Sequence, residues 1–244
     1  MKTQFKGFKK MNKIYKISLI AASLVIMSCE IPADLNDNPN EITVSDVDAN
    51  LFLNGAQLAN VIVQVSHMNR ISGMYSGQLV GYASLYSNIY GYSLSTVESN
   101  DEWSNAYVGV VANTRHIQAS APDDKLLVGI TKVLEAHAMS TLAILTGDVP
   151  FSEVLSDKDS PKFDDQKAVL DGCSALLSDA ITTLSGATSR SEAYDIYYGG
   201  DKDKWIAAAY TLKARIALIK KDYASALTHA GMGISSSAGD MMYI

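Results

Sequence analysis

The sequence predicts a mainly α-helical protein carried behind a secretory leader. Apolar residues recur at three-and-four spacing through most of residues 45–234, and strand-like alternation is scarce. A lysine-rich and then apolar leader ends at Ser28-Cys29. With 244 residues and 48% hydrophobic composition, the chain can bury a sizeable core.

The leader comes first. Lys2, Lys6, Lys9, Lys10, Lys13 and Lys16 make it positive, and Ile17 to Met27 is apolar apart from Ser18 and Ser23. That run is too short for a bilayer span, which needs about 20 residues. Ile26-Met27-Ser28-Cys29 resembles a bacterial lipobox, so Cys29 is the expected lipidated first residue of the mature chain. Met11 is a second candidate start and would give a more usual leader. The expected organisation is therefore a signal peptide over 1–28, a lipidated tether over 29–44 and a helical domain over 45–244. The formal net charge is −6, and removing residues 1–28 takes it to −12. This argues against nucleic acid or an anionic bilayer surface as the main partner. Lipidation of Cys29 would leave Cys173 alone, so no intrachain disulfide is expected.

The tether contains Leu35-Asn36-Asp37-Asn38-Pro39-Asn40. Asp34, Asn36 and Asn38 alternate as in a calcium loop, but Pro39 stands where glycine is needed and Ser45 where glutamate is needed. Ser45-Asp46 can cap a first helix with Leu51, Leu58, Val61, Ile62 and Val65 as its apolar positions. Ser99 or Asn100 can cap a second, with Asp101 and Glu102 in its positive first turn and Trp103, Tyr107, Val110, Val111 and Thr114 at helical spacing. Pro122-Asp123-Asp124 opens a third, whose stripe includes Leu126, Leu127, Ile130, Val133, Leu134, His137, Thr141 and Leu145. Gly147 and Pro150 end it. Further helices are predicted over 165–184, 203–220 and 222–234. The last two look like a tetratricopeptide unit, with Ala214 and Ala217 facing the Lys221-Asp222-Tyr223-Ala224-Ser225-Ala226-Leu227 segment.

Several segments, in order, resemble the SusD/RagB family of nutrient-binding outer-membrane lipoproteins. They are Gly147-Asp148-Val149-Pro150-Phe151-Ser152-Glu153-Val154-Leu155 after a long helix, and Tyr198-Gly199-Gly200-Asp201 with Lys204-Trp205 leading into Tyr210–Leu218. The Asn-Asp-Asn-Pro-Asn tether and the lipobox agree with them. The resemblance implies a tetratricopeptide-like helical-repeat scaffold. Family members are usually about twice this length, so a chain truncated at its C-terminus is expected. Thr146 departs from the aromatic that the family often has there. The segment Gly147 to Pro150 reads as scaffold, with Asp148 bonding nearby amides; Asp203 reads as a helix cap and Trp205 as a core residue.

Chemistry is hard to find. His67, His116, His137 and His229 lack zinc-site spacing, and no nucleophile elbow, phosphate loop or dinucleotide fingerprint is present. His137 reads as a packing histidine with Glu135 on the other side of its helix, and Cys173 as a buried, inert thiol. The acidic pairs Asp101-Glu102, Asp123-Asp124 and Asp164-Asp165 sit at helix starts. No catalytic residue, metal or cofactor is expected.

One region is unusual. Tyr75, Tyr82, Tyr86, Tyr90, Tyr92, Trp103 and Tyr107 account for six of 13 tyrosines and one of two tryptophans, mixed with glycine, serine and asparagine. Aromatic faces cover the C–H side of a sugar ring while hydroxyls and amides take its OH groups. The stretch Gly81–Ser95 reads as loop. Two readings stand side by side: Tyr82, Tyr86, Tyr90 and Trp103 contact a ligand, or the tyrosines at spacing four form one core stripe. The resemblance implies a non-catalytic cell-surface protein of a Gram-negative outer membrane. It would bind a glycan or other nutrient and pass it to a SusC-like TonB-dependent transporter. The alternative from a different class is a helical-repeat scaffold of the cell envelope.

The lipobox makes a direct prediction. Labelled palmitate is expected to enter the wild-type chain and to be absent from Cys29→Ser, which should also leave the membrane fraction. A triply acylated terminus should resist salt washing, because several chains hold where one is marginal. A Cys29→Ser protein that stays lipidated and membrane-bound contradicts the assignment.

Overall fold

The computed structural model describes residues 48–156 and 158–242. The chain divides into two units, Met1–Asp46 and Val47–Ile244, and every described residue lies in the second. The leader, Cys29, the tether and the Ser45-Asp46 start signal fall outside the described residues.

The architecture is mainly α. Helix α1 is Ala49–Val65, capped by Asp48, whose carboxylate accepts from the Asn50 amide at 3.0 Å. Helix α2, His67–Tyr75, follows directly, and a short α3 covers Ser84–Tyr90. Next, α4 (Asn100–Ser104), a π-helical stretch (Asn105–Ala112) and α5 (Asn113–Ser120) run on without a break. Helix α6 is Lys125–Thr146, α7 is Gln166–Ser185, α8 is Lys202–Ile219 and α9 is Tyr223–Ala230. Among the described residues, the β structure is a single bridge, Val149 with Asp164.

Helix α6 is the centre. It packs on α7 most extensively, and also on α1, α5 and the π-helical stretch, while α7 packs on α8 and α8 on α9. By length and composition α6 could cross a membrane, but 83% of its apolar window is buried inside the fold. Its start is capped by Asp124, which accepts from the Leu127 amide at 3.2 Å, and its end by Gly147 at φ +89°. Asp165 caps α7 and Asp222 caps α9. Asp201, rather than Asp203, caps α8, accepting from the Asp203 and Lys204 amides at 3.0 and 3.3 Å. The two residues share the right chemistry, and the turn geometry chooses between them.

The segment after α6 is scaffold, as its sequence implied. Asp148 accepts from the Gln166 amide at 2.9 Å, and Val149 and Asp164 exchange backbone hydrogen bonds at 3.2 and 3.0 Å. Asp164 does more than sit before a helix. It accepts from the Phe151 and Ser152 amides at 3.1 and 2.7 Å and from the Ser152 hydroxyl, and these bonds hold its carboxyl down at about 2.

The face of α1 corrects the expectation. Leu51, Leu58, Ile62 and Val65 are exposed, and the helix buries Leu53, Ala56, Gln57, Ala59, Asn60 and Val63. Close approach explains the choice. A β-carbon added at Gly109 of the π-helical stretch would lie 2.5 Å from the Ala59 β-carbon, so small residues must face inward. The buried amides find partners: Asn60 meets Nδ1 of His137 at 3.2 Å, and Gln57 joins the network described next. Burial and nearby Arg215 push the His137 imidazole down to about 3, so it is a neutral packing group. Glu135, on the other side of α6 from His137, is also buried. Arg115 donates to its Oε1 through Nε at 3.0 Å and Nη2 at 2.8 Å. Cys173 is buried and free, with its thiol pushed up to about 12 by burial.

Asp195 is the main polar hub. It is 4% exposed and lies in the turn before α8. Oδ1 accepts from the Tyr197 and Tyr198 amides at 3.2 and 3.3 Å and from Nε2 of Gln57 at 3.3 Å. Oδ2 accepts from the Gly200 amide at 2.8 Å and from Nε1 of Trp205 at 2.7 Å. Oε1 of Gln57 in turn accepts from the Ile196 amide at 2.7 Å. Trp205 is fully buried, with the Tyr197 and Tyr198 rings edge-on to it at 5.9 and 5.1 Å.

Asp195→Ala leaves several buried donors without acceptors, each costing roughly 1–3 kcal/mol. The variant is expected to lose at least about 3 kcal/mol in urea unfolding of residues 30–244, which is a large share of a typical domain's stability. A loss under about 1 kcal/mol would contradict the role given to this carboxylate.

Candidate functional site

The aromatic segment stands on its own small core. Met68, Ile71 and Met74 of α2 and Ile89 of α3 are buried together, with Tyr86 and Leu145 packed against them. This cluster is separate from the main core. The turn from α2 to α3 is tightly built. A β-carbon at Gly81 would lie 2.1 Å from the Tyr86 carbonyl oxygen and 2.8 Å from the Met74 sulfur, so only glycine lets the chain pass there. Ser84 at φ +52° and Tyr92 at φ +60° flank α3 in left-handed conformations that cost side-chain-bearing residues energy.

A pocket of about 310 Å³ opens between the end of α2 and the start of α3. Its lining includes Arg70, Met74, Leu79, Val80, Tyr82 and Tyr86. That volume lies at the small end of ligand clefts, and the mix of apolar wall and few polar groups is typical of them. Tyr82 is 89% exposed, and Tyr86 is half-buried. Nε of Arg70 donates to the Tyr86 hydroxyl at 2.7 Å, and the guanidinium lies 5.8 Å from the ring centre.

The neighbouring loop is pinned. His67 and Glu98 meet at 2.6 Å, and the Ser95 hydroxyl donates to Glu98 at 2.9 Å. The His67 bond, then the Ser95 bond, hold the Glu98 carboxyl below its usual range. Glu102, read from sequence as a first-turn acid, is fully buried and serves α2 instead. Its Oε1 accepts from the Ser66 hydroxyl at 2.7 Å and the Met68 amide at 2.9 Å.

The structure therefore separates the residues singled out by sequence. Tyr82 and Tyr86 share the pocket, while Tyr90 and Trp103 are outside its lining. Trp103 packs near Tyr107 and Phe163, at 5.6 and 6.0 Å between ring centres, and the Tyr107 hydroxyl donates to the Pro150 carbonyl at 2.6 Å. That group braces the turn after α6. Tyr75 and Tyr92 form a second, exposed stacked pair at 5.1 Å. Neither the loop reading nor the core-stripe reading of Gly81–Ser95 holds whole. Ser84–Tyr90 is helical, yet the residue it buries is Ile89, and Tyr82 and Tyr90 face solvent. Arg70 went unmarked in the sequence reading. The available signal was its isolation: between Asp48 and Glu98 it is the only Asp, Glu, Lys or Arg.

Among the described residues there is no group of three or more His, Cys, Asp or Glu that could hold a metal ion. The site offers ring faces, hydroxyls and one guanidinium. These can hold a polar ring-shaped ligand by stacking and hydrogen bonding.

Comparison with known proteins agrees with the fold. No curated protein matches the chain. A SusD/RagB family protein from Bacteroides thetaiotaomicron superimposes with a TM-score of 0.73 at 22% identity, covering 80% of this chain and 44% of that one. A SusD homolog from Bacteroides ovatus gives 0.59 at 19% identity, covering 78% and 43%. A chitin-binding SusD homolog from Flavobacterium johnsoniae gives 0.57 at 20% identity, covering 75% and 43%. At these identities the likeness shows the fold, and the chain spans less than half the length of each of these proteins. A SusD-like family described as "Starch-binding associating with outer membrane" matches residues 39–238. That match takes in most of the sequence, and the chain belongs to the SusD-like family.

Proposed function

We propose that this protein binds an oligosaccharide at the outer-membrane surface without altering it, and passes it to a SusC-like TonB-dependent transporter while held by lipid at Cys29. The observation that carries the binding reading is the pocket in which Tyr82 stands 89% exposed beside Tyr86 and Arg70. A large aromatic left in water over a concave, partly apolar wall is suited to stack on a sugar ring. The family's description as starch-binding supports a glycan as ligand class. The chitin-binding Flavobacterium homolog supports it further. Transfer to a transporter and the lipid anchor rest on the family resemblance and the lipobox.

Tyr82 and Trp103 provide a matched test, read by glycan-array binding and then calorimetry. Tyr82→Ala removes an exposed ring, so the fold should hold while affinity falls by roughly tenfold, the value of about 1.4 kcal/mol. Trp103→Ala removes a packed ring and should lower stability by about 3 kcal/mol with little direct effect on affinity. Unchanged affinity in folded Tyr82→Ala would move the site elsewhere. Conversion of the bound glycan to product would overturn the non-catalytic reading.

A further inference from the structure

Among the described residues, the guanidinium in the pocket has no acidic partner. The chain has four arginines. Arg115 pairs with Glu135, and Arg190 with Asp124 and Glu192. Arg215, also in no ion pair among the described residues, is exposed and reaches the Thr141 hydroxyl at 3.5 Å. Among the described residues Arg70 forms no ion pair, and its Nε is fixed on a neutral hydroxyl. No Asp or Glu lines the pocket, and none occurs in sequence between Asp48 and Glu98.

An arginine held at Nε keeps its two terminal amino groups for a ligand. Their fixed fork matches a planar carboxylate and makes two parallel charge-assisted hydrogen bonds with it. The Tyr86 hydroxyl, having accepted from Nε, still has its own hydrogen to donate. The apolar wall of Met74, Leu79 and Val80 reduces the screening that would weaken such a pair in open water. The charge balance restricts the ligand further. Without residues 1–28 the chain carries −12, so attraction to an anion is local to this pocket and owes nothing to the overall charge.

On these grounds we propose that the pocket takes a saccharide bearing a carboxylate, a uronic acid residue, with Arg70 on the carboxylate and Tyr82 on the ring face. The inference rests on the glycan-binding reading above and sharpens its ligand class.

The test uses the chain from residue 30 to 244 and isothermal calorimetry. The probes are aldotetraouronic acid and trigalacturonate, each beside its neutral form made by reducing the carboxyl to an alcohol. Each acid form should bind roughly tenfold or more tightly than its reduced partner at low salt, the value of one hydrogen bond to a charged group. The preference should shrink at 1 M salt, because Arg70 is exposed. Arg70→Gln should abolish it, so that acid and reduced forms bind alike. Arg70→Lys should keep part of it, since the charge remains and the fork is lost. Thermal melting of each variant checks folding. If the reduced forms bind as tightly as the acids and Tyr82→Ala weakens both, the carboxylate proposal fails and the glycan reading stands. If folded protein binds neither form of either probe, and no neutral glycan on an array, both fail.

Discussion

A buried carboxylate, Asp195, with no ion pair among the described residues, ties distant parts of this fold together. Asp195 lies in the interior with five N–H donors around it: three backbone amides, the Gln57 side chain and the Trp205 indole. Removing a charge from water is expensive, and a dense shell of donors is one way to offset it. The shell draws together distant stretches of sequence. Gln57 belongs to α1, the amides to the turn before α8, and Trp205 to α8 itself. If Asp195 were absent, the turn would lose its centre, the indole its acceptor and α1 its tie to α8. The ion pair of Arg115 with buried Glu135 links α5 to α6 in the same manner. The helices are thus set by two polar clusters inside an apolar core. The first explains why the innermost face of α1 carries Gln57, and the His137 ring gives Asn60 its partner.

That arrangement places the candidate pocket outside the main core. The pocket sits over a small satellite cluster of Met68, Ile71, Met74 and Ile89, apart from the main core. The close passage at Gly81, which lines the pocket, shapes its wall. Because Tyr82 is exposed, its ring can vary at low cost to the fold. Arg70 is likewise supported by one hydroxyl and one ring. On the proposed reading, ligand preference falls on Tyr82 and Arg70, and the fold rests mainly on the clusters around Asp195 and Glu135.

Much of the scaffold was legible in sequence because caps and breakers act locally. Asp124 and Gly147 delimit α6, Asp165 opens α7 and Asp222 opens α9, each by chemistry contained within a few residues. Hydropathy failed where the partner decides. Leu51, Leu58 and Ile62 make a convincing apolar stripe, yet the approach of Gly109 to Ala59 and the partners of Gln57 and Asn60 select the opposite face. No local pattern announces those contacts, since they join residues far apart in the chain. The site was half legible. Aromatic enrichment led to Tyr82 and Tyr86, but composition cannot tell an exposed ring from Trp103, which is turned towards Tyr107 and Phe163. Arg70 meets Tyr86 across a turn, and only its isolation among uncharged residues marked it.

On the proposed reading, ligand contact falls on Tyr82 and Tyr86 beside Arg70, while the rings around Trp205 only hold the fold. A titration of ring-labelled tyrosine by NMR tests it most directly, with trigalacturonate and its reduced form as ligands. The account predicts saturable shifts at Tyr82 and Tyr86, with Tyr197 and Tyr198 unmoved. Saturable shifts at Tyr197 and Tyr198 that spare Tyr82 would contradict it.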